Sequence, residues 1–284
     1  MCGMRGPLVY LNGEYVPYDD AKLGVEDRSV QFGDGVYEVV RYYGGRPFKM
    51  DSHMRRLTRS AAGIDLAIPS TSEIAGAMDE LVRRQNMPEA AVYLQITRGE
   101  TARVQGIPKN LKPNVIAIAR PATSARPASG IAIVTQSDDR WARCNLKTTM
   151  LLPAMLARSR AERLGAQDAI FVRDGFVTEA SAANVFIVSK GVVLTPPLSN
   201  YLLAGCTREA ILELHGANGI ESREQLITHA DLLDADEVFL SSTNGELRPV
   251  TKIDGRPVGT GEVGPVFSRT IALFDAATRQ LVVV

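Results

Sequence analysis

The run Val36-Tyr37-Glu38-Val39-Val40-Arg41-Tyr42-Tyr43 stops at Gly44-Gly45 and resumes at 46–50, and this break constrains the fold more than any other. β-Branched and aromatic residues suit a pleated strand, and a glycine pair supplies the positive φ angles of a tight hairpin. The chain therefore turns straight back on itself early on. Asp51 then opens a helical stretch through Arg56, Leu57 and Ala61, which Gly63 stops. Ser70, with Glu73 three residues later, has the capping-box spacing and starts a second helix to about Arg84. Strands are expected at 91–98 and 115–120. The segment 121–130, rich in Pro, Ala and Ser and without apolar periodicity, reads as an interdomain linker. Beyond it come a strand at 131–135, a helix ending near Gly165, and a strand pair around the Asp174-Gly175 turn. Strands at 185–188, 192–195 and 237–241 follow, with helices near 207–215, stopped by Gly216, and near 228–233. Strands and helices mix without a regular βαβ rhythm and without an internal repeat, so the expected class is α+β. The 284 residues suit about two domains at roughly 150 residues each. They are expected as a small N-terminal α/β domain at 1–120, the linker at 121–130, and a larger C-terminal domain at 131–284.

Composition excludes several functions. Lysine plus arginine and aspartate plus glutamate are 32 each, so no global basic field exists to hold a nucleic acid or an anionic membrane. The longest apolar runs, such as 169–172 and 185–188, fall far short of the roughly 18 residues of a membrane span. Residues 1–7 carry no apolar leader core, which predicts a cytoplasmic location. Cys2, Cys144 and Cys206 give neither a disulfide framework nor a CxxC pair. The three histidines form no HxxxH or HExxH pattern, so no catalytic metal is expected. Serine-hydrolase and P-loop signatures are absent too, and Gly33-Asp34-Gly35 lacks the strand-to-helix context of a dinucleotide loop.

Four places can carry chemistry. Lys147 precedes the apolar stretch 150–156, and a desolvated lysine at the edge of a buried helix offers a free amine that condenses with carbonyls. Glu179 ends a strand and is followed by small residues, leaving room for a flat group whose protonated ring nitrogen it could pair. Gly205-Cys206-Thr207-Arg208 opens a helix, where backbone N–H groups and the helix dipole suit phosphate. Arg56 could complete that site with a two-pronged grip. Each has a bland reading as well: a solvated lysine, a solvated strand end, an ordinary helix start, an exposed helix arginine.

The order of the blocks along the chain says more than any one of them. Gln31-Phe32-Gly33-Asp34-Gly35-Val36-Tyr37-Glu38, His53-Met54-Arg55-Arg56-Leu57, Arg143-Cys144-Asn145-Leu146-Lys147, Thr178-Glu179 through Asn184-Val185-Phe186, Gly205-Cys206-Thr207-Arg208 and Ser242-Thr243-Asn244-Gly245-Glu246 with Pro249-Val250 occur in this sequence. Together they resemble the fold type IV pyridoxal-phosphate-dependent aminotransferases, the branched-chain and D-amino acid aminotransferase family. The resemblance spans almost the whole chain and is strongest to the D-amino acid branch.

That resemblance implies a two-domain fold, pyridoxal 5'-phosphate as cofactor, and transfer of an amino group from an amino acid to a 2-oxo acid such as pyruvate or 2-oxoglutarate. Lys147 matches the lysine that holds the cofactor as a Schiff base and shuttles the proton, and Glu179 matches the partner of the pyridine nitrogen. Arg56, the backbone of Cys206 and Thr207, and Thr243 match the phosphate cup, while Leu203 falls where an apolar residue backs the ring. Tyr37 matches a substrate-facing tyrosine, and Arg103 with Gln105 falls in the carboxylate trap of the D-amino acid enzymes. Homodimers with active sites at the interface are implied. The sequence also departs from the pattern: Gln105 stands where a histidine is usual, Ala182 and Ala183 replace serines, and Asn244, on the substrate side, replaces a small or hydroxylated residue. All of these bear on substrate range. Branched-chain L-aminotransferase, R-selective amine transaminase and aminodeoxychorismate lyase remain the alternatives inside the family, and a cofactor-binding protein without turnover the alternative outside it.

Overall fold

In the computed structural model, which describes residues 7–122 and 127–283, the chain forms two compact units. The first takes the described residues up to 122 together with Leu146–Met150 and the end of the last helix from Thr278, and the second takes the rest. The chain is thus not divided by a single cut, because the five residues around Lys147 belong with the first unit. Positions 123–126 of the expected linker lie outside the described residues, and Pro121 is still strand.

The first unit contains β1 (Leu8–Leu11), β2 (Glu14–Pro17), α1 (Arg28–Phe32), β3 (Gly35–Tyr43), β4 (Arg46–Pro47), α2 (Met50–Gly63), α3 (Thr71–Gln85), β5 (Ala90–Thr97) and β6 (Asn114–Pro121). Its six strands form one antiparallel sheet in the order β2-β1-β6-β5-β3-β4. Gly44 and Gly45, at φ 57° and 79°, make the expected β3–β4 turn. Strands β5 and β6 alternate buried and half-buried residues, so one face of the sheet packs on α2 and α3 through Val92, Leu94, Ala117, Leu57, Met78 and Leu81. Ser70 caps α3 as expected, accepting the N–H of Glu73.

The second unit holds β7 (Ile131–Ser137), α4 (Leu152–Arg163), β8 (Asp168–Arg173), β9 (Phe176–Ala180), β10 (Asn184–Ser189), β11 (Val192–Thr195), α5 (Cys206–Ala217), β12 (Ser222–Glu224), α6 (His229–Leu233), β13 (Glu237–Ser242), β14 (Glu246–Ile253) and β15 (Arg256–Pro257), and most of α7 (Pro265–Val283). Its sheet runs β12-β11-β10-β13-β14-β7-β8-β9, with β15 paired to β14. Parallel pairs join β7 to β8 and to β14, and β11 to β12; the other pairs are antiparallel. One βαβ crossover, β7–α4–β8, therefore sits inside an α+β arrangement. Strands β10 and β13 are buried along nearly their whole length, which matches their unbroken apolar sequences.

Two local expectations are corrected. The stretch 150–156 does not form the buried side of a helix: Met150, Leu152, Met155 and Leu156 are exposed, and α4 packs through Ala154, Ala157 and Ala161. Small side chains let that helix approach the sheet closely, and the larger ones are left outside. Gly216 does not stop α5 either; the helix runs through it to Ala217, and Asn218 follows as its C-cap.

Candidate active site

Lys147 owes its place to backbone pairing, not to a helix. The start of β3 has β5 on one side only, and residues 147–149 run along its other side. The Tyr37 N–H donates to the Lys147 carbonyl at 3.0 Å, and the Thr149 N–H donates to the Gly35 carbonyl at 3.0 Å. The Lys147 N–H itself donates to Ser60 Oγ on α2 at 2.9 Å. With the Lys147 backbone held at two points and Thr149 at a third, the half-buried side chain sets Nζ 4.2 Å from the centre of the Tyr37 ring. The π face attracts the ammonium form and orients it. Tyr37 is continued by Tyr93, 5.7 Å away ring to ring, whose hydroxyl donates to Gln95 Oε1 at 2.7 Å. Burial, then the neighbouring Tyr37, pushes the Tyr93 hydroxyl up to about 12.

Arg56 is buried on α2, one turn after His53. Its Nε and Nη2 donate to the two oxygens of Glu38 at 2.8 and 2.7 Å, the parallel two-bond geometry of a strong ion pair. His53 Nδ1 donates to Glu38 Oε2 at 2.8 Å. Burial alone would raise the Glu38 carboxyl, but the Arg56 charge and the hydrogen bonds from Arg56 and His53 outweigh it and bring it down to about 2. Burial also brings His53 down, favouring its neutral form against the pull of Glu38. Glu38 lies within one of the sequence blocks, yet nothing in its spacing announces this role.

Arg103 and Gln105 lie on an exposed loop after β5, and the Arg103 guanidinium sits 4.8 Å from the Phe32 ring centre.

In the second unit, Glu179 is buried near the end of β9, with Oε2 accepting the Leu203 N–H at 2.9 Å and Oε1 accepting from Arg140 Nη1 at 2.5 Å. Sequence reasoning misses Arg140. It lies just past β7, over the Phe171 ring at 4.3 Å, and is balanced by Asp138, which takes Nε at 2.8 Å and Nη2 at 2.9 Å. Thr178 Oγ1 and the Tyr201 carbonyl also accept from Arg140. An Asp and an Arg two apart after a strand read as solvated surface; only the fold shows them inward.

Leu203 and the helix start are tied together by Asn184, whose Nδ2 donates to the Leu203 carbonyl at 2.8 Å. A Cβ on Gly205 would lie 2.0 Å from Asn184 Oδ1, so any other residue at this N-cap position would push the Asn184 amide aside. No side chain caps α5, and Cys206 and Thr207, both buried, form its first turn. This is a dipole-bearing backbone start in a tight, small-residue cradle, a donor set that fits a phosphate monoester. Thr243 is half-buried and Asn244 exposed in the β13–β14 turn, where Ser242 Oγ accepts the Gly245 N–H. The first unit thus groups Lys147 with Tyr37, and Arg56 with Glu38, while the second groups Glu179, Leu203 and the α5 start. Within the second unit, a buried carboxylate and a helix start suit a phosphorylated group with a ring nitrogen, and within the first the amine suits a carbonyl carbon.

Comparison with known proteins gives the family. The family model for class IV amino-transferases matches residues 35–253. The D-alanine aminotransferase of Bacillus licheniformis is 39% identical over 91% of this chain and 92% of its own length. Among solved structures, the branched-chain amino acid aminotransferase from Escherichia coli superposes with a TM-score of 0.90 at 32% identity, covering 95% of this chain and 94% of that one. The T.th. branched-chain enzyme, solved with pyridoxamine 5'-phosphate, gives a TM-score of 0.90 at 28% identity, covering 97% and 95%. The chain belongs to the class IV aminotransferase family.

Proposed function

We propose that this protein is a pyridoxal-phosphate-dependent transaminase that moves the amino group of D-amino acids, D-alanine among them, to a 2-oxo acid such as pyruvate or 2-oxoglutarate. The observation that carries the reading is the amine of Lys147, fixed through its backbone on β3 and set against Tyr37. The D-alanine aminotransferase identity over nine-tenths of the chain supports the choice of substrate.

The cofactor supplies an aldehyde carbon for the amino group and a pyridine ring that takes up electrons from the substrate carbon. Lys147 Nζ binds the cofactor, then removes and returns the proton at the substrate Cα. Glu179 would pair with the ring nitrogen and hold its proton, and Leu203 would supply apolar contact to the ring. Arg56, the Cys206 and Thr207 backbone, and Thr243 hold the phosphate. Tyr37, Arg103, Gln105 and Asn244 face the substrate, with Arg103 gripping its carboxylate through two bonds. In this reading the first unit is the small domain, with Leu146–Met150 and the end of α7 grouped with it, and the second unit is the cofactor-binding domain. The working form is a cytoplasmic homodimer with active sites at its interface. No helix among the described residues is long and apolar enough to cross a membrane, and Val25, Val30, Val104 and Ile107 expose apolar surface that a second copy can cover.

A transamination screen of D- and L-amino acids against pyruvate and 2-oxoglutarate tests the proposal. D-alanine and D-glutamate should be turned over. Turnover of L-leucine or L-valine alone would make it a branched-chain enzyme like its solved relatives, and pyruvate release without an acceptor would make it a lyase.

A further inference from the structure

Arg103 stands on an exposed loop, where a long side chain loses much rotamer freedom when it grips a ligand. The loop around it is tied down from below. Arg28 on α1 is buried, and its Nη1 donates to the carbonyls of Val104 at 2.9 Å and Gly106 at 3.1 Å, one on each side of Gln105. Its Nε donates to Asp34 Oδ2 at 2.8 Å, and the same oxygen accepts from Arg98 Nε at 2.8 Å. Arg98 is anchored in turn on the carbonyls of Asp65 and Ile64, at 2.7 and 2.6 Å. The base of the loop is stitched to the start of α1, with the Arg28 N–H on the Gly99 carbonyl and the Thr101 N–H on the Glu26 carbonyl. Phe32, at the end of α1, then takes two guanidinium groups against its ring, Arg28 at 4.7 Å and Arg103 at 4.8 Å. A buried arginine that spends its donors on loop carbonyls fixes backbone, and a ring that stacks the next arginine fixes a side chain.

We propose that Arg28 and Phe32 are positioning residues for substrate specificity: Arg28 pins the loop at 104 and 106, Phe32 stacks the Arg103 guanidinium, and together they hold Arg103 ready for a substrate carboxylate. This rests on the reading of Arg103 given above. The grip on a carboxylate persists unchanged from bound substrate through the reaction, so weakening it raises KM and leaves kcat nearly alone.

The test uses the cofactor-loaded enzyme and the variants Phe32→Leu, Arg28→Lys, Arg103→Ala and the double variant Phe32→Leu/Arg103→Ala. Cofactor absorbance and the thermal midpoint report folding, and Phe32→Leu, which keeps an apolar side chain, carries the test if Arg28→Lys does not fold. Arg103→Ala should raise KM for D-alanine about tenfold or more. Phe32→Leu should raise it roughly threefold to tenfold with kcat within about twofold, and should add nothing once Arg103 is gone. Calorimetric binding of maleate, a carboxylate that cannot transaminate, should weaken in parallel. An unchanged KM in Phe32→Leu beside a raised KM in Arg103→Ala overturns the clamp, as does a Phe32→Leu effect that survives in full without Arg103. An unchanged KM in Arg103→Ala overturns the reading of Arg103 itself, and the clamp with it.

Discussion

Each unit buries an arginine against carboxylate, one carboxylate in the first and two in the second, and the two arrangements differ in how the charge is shared. In the first, Glu38 spends both oxygens on Arg56, so the pair is neutral and what it presents is an arginine aimed by its partner. In the second, Arg140 gives its two-bond grip to Asp138 and only Nη1 to Glu179. Asp138 also takes Arg173 at 3.3 Å, so two arginines and two carboxylates balance as a group, and Glu179 shares its arginine with Asp138. Under the proposed reading Arg56 is one of the phosphate-holding groups, and an arginine oriented by its own counter-ion suits directed N–H donation. A ring nitrogen that must stay protonated needs a carboxylate that remains an anion. The same ion-pair chemistry gives an arginine oriented by a single carboxylate in one unit, and a carboxylate held in a two-arginine cluster in the other.

Breaking the first arrangement should have the largest effect. Glu38→Gln leaves Arg56 buried without its counter-ion, which typically costs about 3–5 kcal/mol. It should lower the thermal midpoint and weaken cofactor affinity together. The acid side sharpens the point. Glu38 titrates lower in the folded protein, at about 2, than its ordinary 4.5, so its contribution to stability is fully present above about 4.5 and is lost as pH falls toward 2. Denaturant titrations between those values should show a steeper loss for the wild type than for Glu38→Gln. Equal slopes would mean that Glu38 is not the anion of this pair.

Breaking the second should cost rate and leave the fold intact. In Glu179→Gln the amide cannot stabilise a protonated ring nitrogen, and losing one charge-assisted hydrogen bond is worth roughly 1.5–3 kcal/mol, about tenfold to a hundredfold in kcat. The variant should still bind cofactor, with an altered absorption spectrum. Full activity would remove Glu179 from the mechanism and the contrast with it.

Much of this is legible in the residues. The Gly44-Gly45 hairpin, the Ser70 cap and the Asp174-Gly175 turn are local features, and local rules find them. What sequence cannot supply is long-range register. Lys147 is placed by pairing with residues more than a hundred positions earlier, so its neighbourhood reads as a buried helix whose larger apolar side chains are in fact exposed. Asp138 and Arg140 escape notice for a related reason: charges past a strand end look solvated until the chain folds them under Thr178 and Tyr201. The small-residue helix start at Gly205 is visible, but Asn184, whose amide a Cβ there would displace, lies 21 positions away.

Both arrangements matter only if the cofactor is held at Lys147. Reconstitution with pyridoxal phosphate, reduction with borohydride and peptide mapping tests that directly. The account predicts a yellow protein, one cofactor fixed on the peptide containing Lys147, and no fixation in Lys147→Ala. Fixation on any other lysine, or an unchanged colour in Lys147→Ala, would contradict it.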